Sequence, residues 1–477
     1  MLPISRRRFF LQSGAISLAL AASPARAKSI NERLNVGFIG LGVRGNELLG
    51  HFGSLPDVRI AALCDPDEKR LSKAAAAHPD AKTYADLRHL LDDAGVDAVA
   101  IATCNHWHAL AAIWACQAGK DVYVEKPLAH NHWEGQQVIR AARKFNRVVQ
   151  IGLQQRSDPL QDSIKDFLHV QQALGPIQYV QVCRFGKRLP IGKRTTPLAP
   201  PKNLDYNLWL GPALDEPLYR DQLHYDWHWD WNTGNGEMGN WGIHVLDDAL
   251  NVVYRDEPAF PQCIVAAGGR VIWDDAGQTP NLCFAYYDTG TTPLIFAMSN
   301  LENQLGTSRR LFSGVGSGYV VQCAGGSYVG GRGGGIAVDQ TGSVMRRFGG
   351  DSGAGHTRNF VDAVYARDRS RLKAEVELGH RSTAWCNLAN IAVRLGQPYN
   401  HAAAMALGQP HDVWSSTTDA VKEHLAAHSV DASKQIRLGP TLEFDEVTER
   451  FLGEYADSAN ALLCRNYRRN FEVPTLS

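Results

Sequence analysis

The sequence is poor in the features that mark a disulfide scaffold, a nucleic-acid binder or a membrane-spanning protein. Its nine cysteines (Cys64, Cys104, Cys116, Cys183, Cys263, Cys283, Cys323, Cys386 and Cys464) are scattered over 477 residues, odd in number and without a CxxC pair. Disulfide-stapled secreted domains are shorter and denser in cysteine. Charge of neither sign dominates: 49 Lys and Arg stand against 49 Asp and Glu, so the basic surface that neutralises phosphates is missing and no nucleic acid is expected as a partner. No apolar run reaches the ~20 residues of a bilayer span. There is no HExxH, and the close pairs His106/His108 and His224/His228 have no carboxylates clustered with them, so a metal site is the weaker reading and none is expected.

What is present begins with an ordered N-terminal pattern. Ser5-Arg6-Arg7-Arg8-Phe9-Phe10-Leu11 is similar to the twin-arginine export consensus, a short apolar stretch covers 15–22, and Ala25-Arg26-Ala27 reads as a small-residue cleavage site. Residues 1–27 are therefore expected to be a removable signal, and the protein to be periplasmic or otherwise exported. The remainder carries a net charge of −4. Twin-arginine export carries chains already folded in the cytoplasm, which fits reduced cysteines and a cofactor loaded before departure.

From residue 34 apolar strands alternate with helices. Strands are expected at 34–39, 58–64, 97–103, 121–124 and 147–153, with helices at 45–52, 67–77, 108–117 and 133–145. This is the pattern of a parallel sheet covered on both faces. Beyond about 153 the rhythm lengthens, with strands expected at 177–185, 262–271, 281–287, 293–299, 309–313 and 318–323, mainly antiparallel in an open sheet. The glycine-rich stretch 314–355 suits hairpins or a loop. Helices are expected at 356–366, 380–395 and 444–465, and 398–442 is the least readable part. The fold class is thus α/β: a Rossmann domain at 33–155, a substrate and oligomerisation domain at 156–396 with a mainly antiparallel sheet, and a C-terminal extension at 397–477.

Gly40-Leu41-Gly42-Val43-Arg44-Gly45 is a GxGxxG that follows a strand and opens a helix. The first glycine permits the turn, the second lets backbone approach a pyrophosphate, and the third allows helix and strand to pack closely. The helix N-terminus then offers unpaired N–H groups to phosphate. Asp65 ends the second strand, where a carboxylate bonds the ribose hydroxyls of NAD and repels the 2′-phosphate of NADP. NAD is therefore the expected cofactor, with NADP second because Arg44, Lys69 and Arg70 stand near enough in sequence to compensate. Asp65 serving only as a helix cap is the alternative.

Further motifs carry a family resemblance. Thr103-Cys104-Asn105-His106-Trp107-His108 resembles the TPxxxH segment of the Gfo/Idh/MocA oxidoreductases, and Glu125-Lys126-Pro127 matches their EKP. Gly152-Leu153-Gln154-Gln155-Arg156 is similar to their GxxxR, and residues 236–247, from Gly236 through His244 to Asp247, to their GGxxxDxGxHxxD. Glu377-Leu378-Gly379-His380-Arg381-Ser382 is similar to a late helix start in many members. The resemblance runs from about 35 to 395. It implies the same two-domain fold, dimers or tetramers formed sheet to sheet, and a cofactor site of Gly40, Gly42, Val43, Arg44, Gly45, Asp65, Asn105, Trp107, His108, Glu125, Lys126 and Gln154.

Lys126 ends a strand at the carboxyl edge of the sheet, where an ammonium can bond a substrate hydroxyl and stabilise developing charge. The resemblance implies that it is catalytic and that His244 is the base that deprotonates the hydroxyl. A helix expected over 240–253 puts Asn240, His244 and Asp247 on one face, and imidazole is suited to taking a proton near neutral pH. A core histidine bonded to Asp247 or Asp248 is the alternative. Where the common family pattern has Asp four residues before this His, the chain has Asn240, which can orient a substrate but cannot stabilise an imidazolium by charge. Arg156, His228, Asn240 and Trp241 are the expected substrate contacts. In 224–231, Trp227, Trp229 and Trp231 would share a face in a strand. In a loop they would offer platforms for pyranose rings, and core or dimer-seam packing is an equal alternative.

Three functions follow. The first is an NAD(P)-dependent oxidoreductase acting on a sugar, glycoside or cyclitol hydroxyl with tightly bound cofactor, because free NAD is scarce outside the cytoplasm. The second is redox-neutral glycoside cleavage by oxidation, elimination, hydration and reduction, as in exported NAD-dependent glycosidases that the chain partly resembles. The third is a non-catalytic sugar-binding protein.

Overall fold

The apolar run that opens the folded chain forms strand β1 (Leu34–Ile39), with five of its six residues buried. In the computed structural model, which describes residues 33–302, 316–407 and 412–477, β1 lies in the middle of a parallel sheet. Its companions are β2 (Val58–Cys64), β3 (Lys82–Tyr84), β4 (Ala98–Ile101), β5 (Asp121–Val124) and β6 (Val149–Ile151), in the order β3-β2-β1-β4-β5-β6. Because β1 pairs with β2 on one side and β4 on the other, the strand order reverses there and leaves a crevice at the carboxyl edge. The expected strands fall where the apolar runs are. The exception is β3, a polar edge strand with two of its three residues exposed, which carries no apolar signal.

Helices α1 (Val43–Gly53), α2 (Glu68–Ala77), α3 (Asn105–Gln117) and α4 (His132–Lys144) cover this sheet. Asp67 caps α2 by accepting from the backbone N–H groups of Lys69 and Arg70, so Asp65 is not the cap. Asn131 caps α4 in the same way through the N–H of Glu134.

The second domain is built on a 12-stranded sheet. Its central strands are β7 (Ile177–Phe185), β8 (Cys263–Gly269), β9 (Leu282–Asp288), β10 (Leu294–Ser299) and β11 (Ser317–Cys323). Only β7 and β10 pair in parallel there; the other ladders are antiparallel. The glycine-rich stretch is a meander of β12 (Gly326–Gly331), β13 (Gly334–Asp339) and β14 (Val344–Gly349). The export segment 1–27 and the strand expected over 309–313 lie outside the described residues.

One face of this sheet packs on α5 (Ile243–Ala249) and α7 (Val376–Arg394), with α6 (His356–Ala366) crossing back onto the first domain through Phe360. The opposite face, through Val265, Phe284, Tyr286, Ile295 and Val320, is covered by Tyr399, Ile436 and α8 (Asp412–Ala427). Trp414 is fully buried, its ring 5.5 Å from that of Phe284, and truncating such a ring costs about 3–5 kcal/mol.

The helix expected over 444–465 does not form. That segment is a hairpin, β17 (Leu442–Asp445) and β18 (Arg450–Leu452), followed by a six-residue helix; β15 (Gln397–Pro398) and β16 (Arg437–Leu438) join the same sheet. Asp445 Oδ1 accepts from the N–H and hydroxyl of Thr448, and Glu449 and Gly453 sit at φ +51° and +77°. A side chain bonded to its own turn and left-handed backbone both interrupt a helical run.

Candidate active site

Between the two domains lies a cleft of about 1030 Å³ that opens onto the carboxyl edge of the parallel sheet. The glycine loop forms one end. Gly40 has φ +88°, and a Cβ there would meet the backbone of Ala102 and Thr103; one on Gly45 would fall on the carbonyl oxygen of Gly40. Gly42 instead faces open cleft, met only by Arg70 Nη1. No side chain caps α1 at Gly42, so its first N–H groups are free for an anion.

Asp65 completes this end. One carboxylate oxygen accepts from Leu41 N at 2.7 Å and the other from Asp67 N at 2.8 Å, which ties the glycine loop to the end of β2. Burial pushes its pKa up, against those two bonds. The residue also lines the cleft. A loop that admits backbone close to an anion, an uncapped helix N-terminus and an acid lining the same cleft together fit the dinucleotide that the sequence implied.

Deeper in, Glu125 ends β5 and binds Arg44 Nε at 2.7 Å and Gln154 Nε2 at 3.2 Å. Lys126 follows, its Nζ 2.8 Å from the carbonyl oxygen of Asn240 and 3.4 Å from Oδ1 of the same residue. Burial lowers the Lys126 pKa to about 8. His108, its ring nitrogens 2.6 Å from the carbonyl oxygen of Pro127 and 3.1 Å from that of Thr103, donates its one N–H to one of them and fixes the loop behind Lys126.

His244 faces Lys126 from the other domain. The helix that carries it runs from Met238 to Tyr254, α5 being flanked by wide π turns at Met238–Gly242 and Leu250–Tyr254, a distortion frequent at functional sites. Burial, reinforced by the charges of Arg332 and Lys126, holds His244 well below its usual pKa, so the imidazole is neutral. Asp247 and Asp248 do not bond it: Asp247 takes Arg156 and Ser382, and Asp248 takes Gln161.

The structure therefore brings Gly40, Gly42, Val43, Arg44, Asp65, Asn105, Trp107, His108, Glu125, Lys126, Gln154, His228, Asn240, Trp241 and His244 to one cleft, with Gly45 packed behind it. Arg156 is elsewhere. Its guanidinium is buried against Asp247 at 2.7 Å and Asp256 at 2.7 Å, so the expected substrate contact is a structural ion pair. Asp247, bonded to it, is turned from the face that Asn240 and His244 present to the cleft.

The tryptophans of 224–231 diverge, because Asp226–Trp229 is a 3-10 turn and not a strand. Trp227 stacks on His228 with ring centroids 3.6 Å apart and lines the cleft. Trp229 is buried, and Trp231 packs under Arg394. The close histidine pairs do not converge either: His106, with one N–H to give, lies 3.0 Å from the carbonyl oxygen of Trp209 and 3.3 Å from that of Thr233, and His224 bonds Asp67. Among the described residues one set of metal-ligand type comes together, His132, His380 and Glu449, outside the cleft. His132 and His380 each place Nε2 within hydrogen-bond reach of the same oxygen, at 2.7 and 2.9 Å.

Sequence reasoning missed Arg184, Glu237 and Arg332. Fully buried Glu237 binds Arg184 at 3.1 Å and Arg188 at 3.2 Å, and Arg184 lies over the Trp241 ring at 4.3 Å. The available signal for Arg332 was its place as the lone cation in Gly330-Gly331-Arg332-Gly333-Gly334-Gly335.

Comparison with known proteins agrees with this geometry. Residues 34–153 match the family model described as an oxidoreductase family with an NAD-binding Rossmann fold, and 186–305 match the same family's C-terminal alpha/beta domain. Inositol 2-dehydrogenase 2 of Saccharopolyspora erythraea is 37% identical over 128 residues, covering 26% of this chain and 38% of that protein. A glycosyl hydrolase family 109 protein of Shewanella putrefaciens is 31% identical over 174 residues, covering 30% and 38%. The chain thus aligns with well under half the length of these relatives. Among solved structures, the putative oxidoreductase yvaA of Bacillus subtilis superposes with a TM-score of 0.55 at 16% identity, covering 76% of this chain and 96% of that one. The WlbA dehydrogenase of Bordetella pertussis, solved with NADH and UDP-GlcNAcA, gives 0.52 at 16% identity, covering 74% and 94%. At these identities the likeness concerns the fold alone.

Proposed function

Because the chain belongs to the Gfo/Idh/MocA oxidoreductase family, we propose that it transfers hydride between NAD and a hydroxyl-bearing carbon of a sugar, glycoside or cyclitol. The observation that carries this reading is the meeting of Lys126 and His244, from separate domains, in the cleft that the glycine loop closes. NAD, when bound, supplies the hydride acceptor. Gly40, Gly42 and the start of α1 would hold its phosphates and Asp65 its ribose, a carboxylate that disfavours NADP.

Lys126 Nζ, positioned by the Asn240 carbonyl, donates a hydrogen bond to the reacting oxygen of the substrate and stabilises charge that develops there. The neutral ring of His244 takes the hydroxyl proton. Asn240 orients the substrate without adding charge, and Trp227 and Trp241 give flat surfaces for a sugar ring. Export by the twin-arginine route with the cofactor already bound belongs to the same proposal, supported by residues 5–11 and 25–27. We place any self-association outside the sheet face covered by Trp414, because that face is already buried within the chain.

The 31% identity to a glycosyl hydrolase family 109 protein favours a second reading, redox-neutral cleavage of a glycoside by the same Lys126 and His244. One experiment separates the two. The purified chain, without added cofactor, is offered aryl glycosides beside free sugars. NADH absorbance, or reduction of a second sugar, supports the first reading; aglycone release with no net NADH supports the second. A folded chain that does neither overturns both.

A further inference from the structure

At the Lys126 end of the cleft, cations outnumber the carboxylates left to balance them. Arg44 is paired with Glu125 and Glu47, and Arg184 and Arg188 share Glu237. Arg332 has no carboxylate within ion-pair distance among the described residues, yet it lines the cleft. Asp248, whose field reaches it, is buried, bonded to Gln161 at 2.8 Å and pushed up to about 7 by that burial.

The backbone places this side chain deliberately. Arg332 and Gly333 form the two-residue tip between β12 and β13, with Gly331 opposite Gly334 and Gly333 at φ +86°. A Cβ on Gly331 would meet the carbonyl oxygen of Ser317, and one on Gly335 the hydroxyl of Tyr328. The flanking glycines let the hairpin pack closely and present one guanidinium over the site. That guanidinium lies 5.8 Å from the Trp241 ring, and the same ring lies 5.8 Å from that of His244. Arg184 also sits on this indole, at 4.3 Å. Arg184 is already paired with Glu237, so among the described residues Arg332 is the guanidinium on this ring left without an ion-pair partner.

We propose that Arg332 forms an acid subsite and that the substrate is a carboxylate-bearing sugar, its acid group held by the guanidinium fork while a hydroxyl on the same ring lies at Lys126 and His244. The fork matches a carboxylate with two parallel N–H···O bonds. Trp241 serves as the shared floor. This rests on the oxidoreductase reading above and names the substrate class within it.

The test is calorimetric binding to the NAD-loaded protein, which does not depend on turnover. The probes are glucuronate, galacturonate and mannuronate, the parent neutral hexoses, and their 6-phosphates. At least one hexuronate is expected to bind more tightly than its neutral parent and its phosphate. Arg332→Gln should weaken that binding about 10- to 100-fold, as expected for one charge-assisted contact, with Arg332→Lys recovering part of it. The melting temperature should not move. No acid preference anywhere in the panel, an unchanged affinity in Arg332→Gln, or preference for a 6-phosphate overturns the carboxylate subsite. Hydride transfer to NAD from a neutral sugar, indifferent to Arg332, would remove the subsite and leave the oxidoreductase reading standing. Arg332-dependent acid binding with no hydride transfer from any panel member would do the reverse.

Discussion

Lys126 Nζ lies 2.8 Å from the carbonyl oxygen of Asn240, so an amine at the edge of one domain's sheet is bonded to the helix that brings His244 from the other. The pair closes the cleft at its reacting end and couples the amine's position to that helix. With its pKa lowered to about 8 by burial, Lys126 donates as an ammonium below that pH and loses its stabilising charge above it. Oxidation should therefore fall on a basic limb centred near pH 8. Lys126→Ala should remove the limb and lower kcat about 100- to 10,000-fold, and His244→Ala should cost a similar factor. Both should retain NAD. Full activity in either variant removes that residue from the mechanism.

Asp65 is both an anchor for the glycine loop through Leu41 N and the acid at the ribose position. Asp65→Ala removes both, leaving the N–H of Leu41 and that of Asp67 without their acceptor. NAD affinity should drop about 10- to 100-fold by titration, with NADP affinity falling less, so that the ratio moves toward NADP. An unchanged NAD-to-NADP ratio would contradict the placement of the ribose at this carboxylate.

Arg156 should matter for stability and not for substrate affinity. Its guanidinium is buried with Asp247 and Asp256, and removing one member of such a set leaves buried charge behind, at a cost of about 3–5 kcal/mol. Arg156→Met should lower the unfolding free energy by that amount, read from denaturant titration, while KM measured on the folded fraction stays near the wild-type value. A raised KM with unchanged stability would restore Arg156 to the substrate site.

Acid should destabilise the fold through its buried histidines. Burial lowers His106 to about 3 and His356 to about 4, against an ordinary value near 6.5. Both are neutral in the native state, so the unfolded chain binds more protons below pH ~6.5. The stability they contribute is complete above that pH and is lost as pH falls toward 4, with up to about 3 kcal/mol from His356 alone. Chemical denaturation from pH 8 to 4 should show a plateau followed by a decline, and His356→Gln should make the decline shallower. A pH-independent midpoint across that range would contradict it.

The first domain was legible because its signals are local. Continuous apolar runs mark buried parallel strands, and Gly40, Gly42 and Gly45 have roles set by turn geometry and close packing. Lys126 and His244 were legible through motifs at strand and helix ends. Arg332 was not, since its importance arises only when a hairpin 88 residues further along the sequence than His244 folds over the same cleft. Arg156 misled for the opposite reason: an arginine next to site residues in sequence is indistinguishable from one turned into the core against Asp247. The hairpin at 442–452 was read as a helix because its interruption depends on Asp445 bonding its own turn, which apolar spacing does not register.

The central claim is a dinucleotide across the glycine loop, within reach of Lys126 and His244. The most direct measurement is mass spectrometry of whatever small molecule the purified folded chain releases on denaturation, followed by titration of the emptied, refolded protein with NAD. Release of NAD or NADH, or saturable uptake of NAD that Asp65→Ala weakens, is the predicted result. A folded chain that releases no dinucleotide and takes up neither NAD nor NADP would contradict the account.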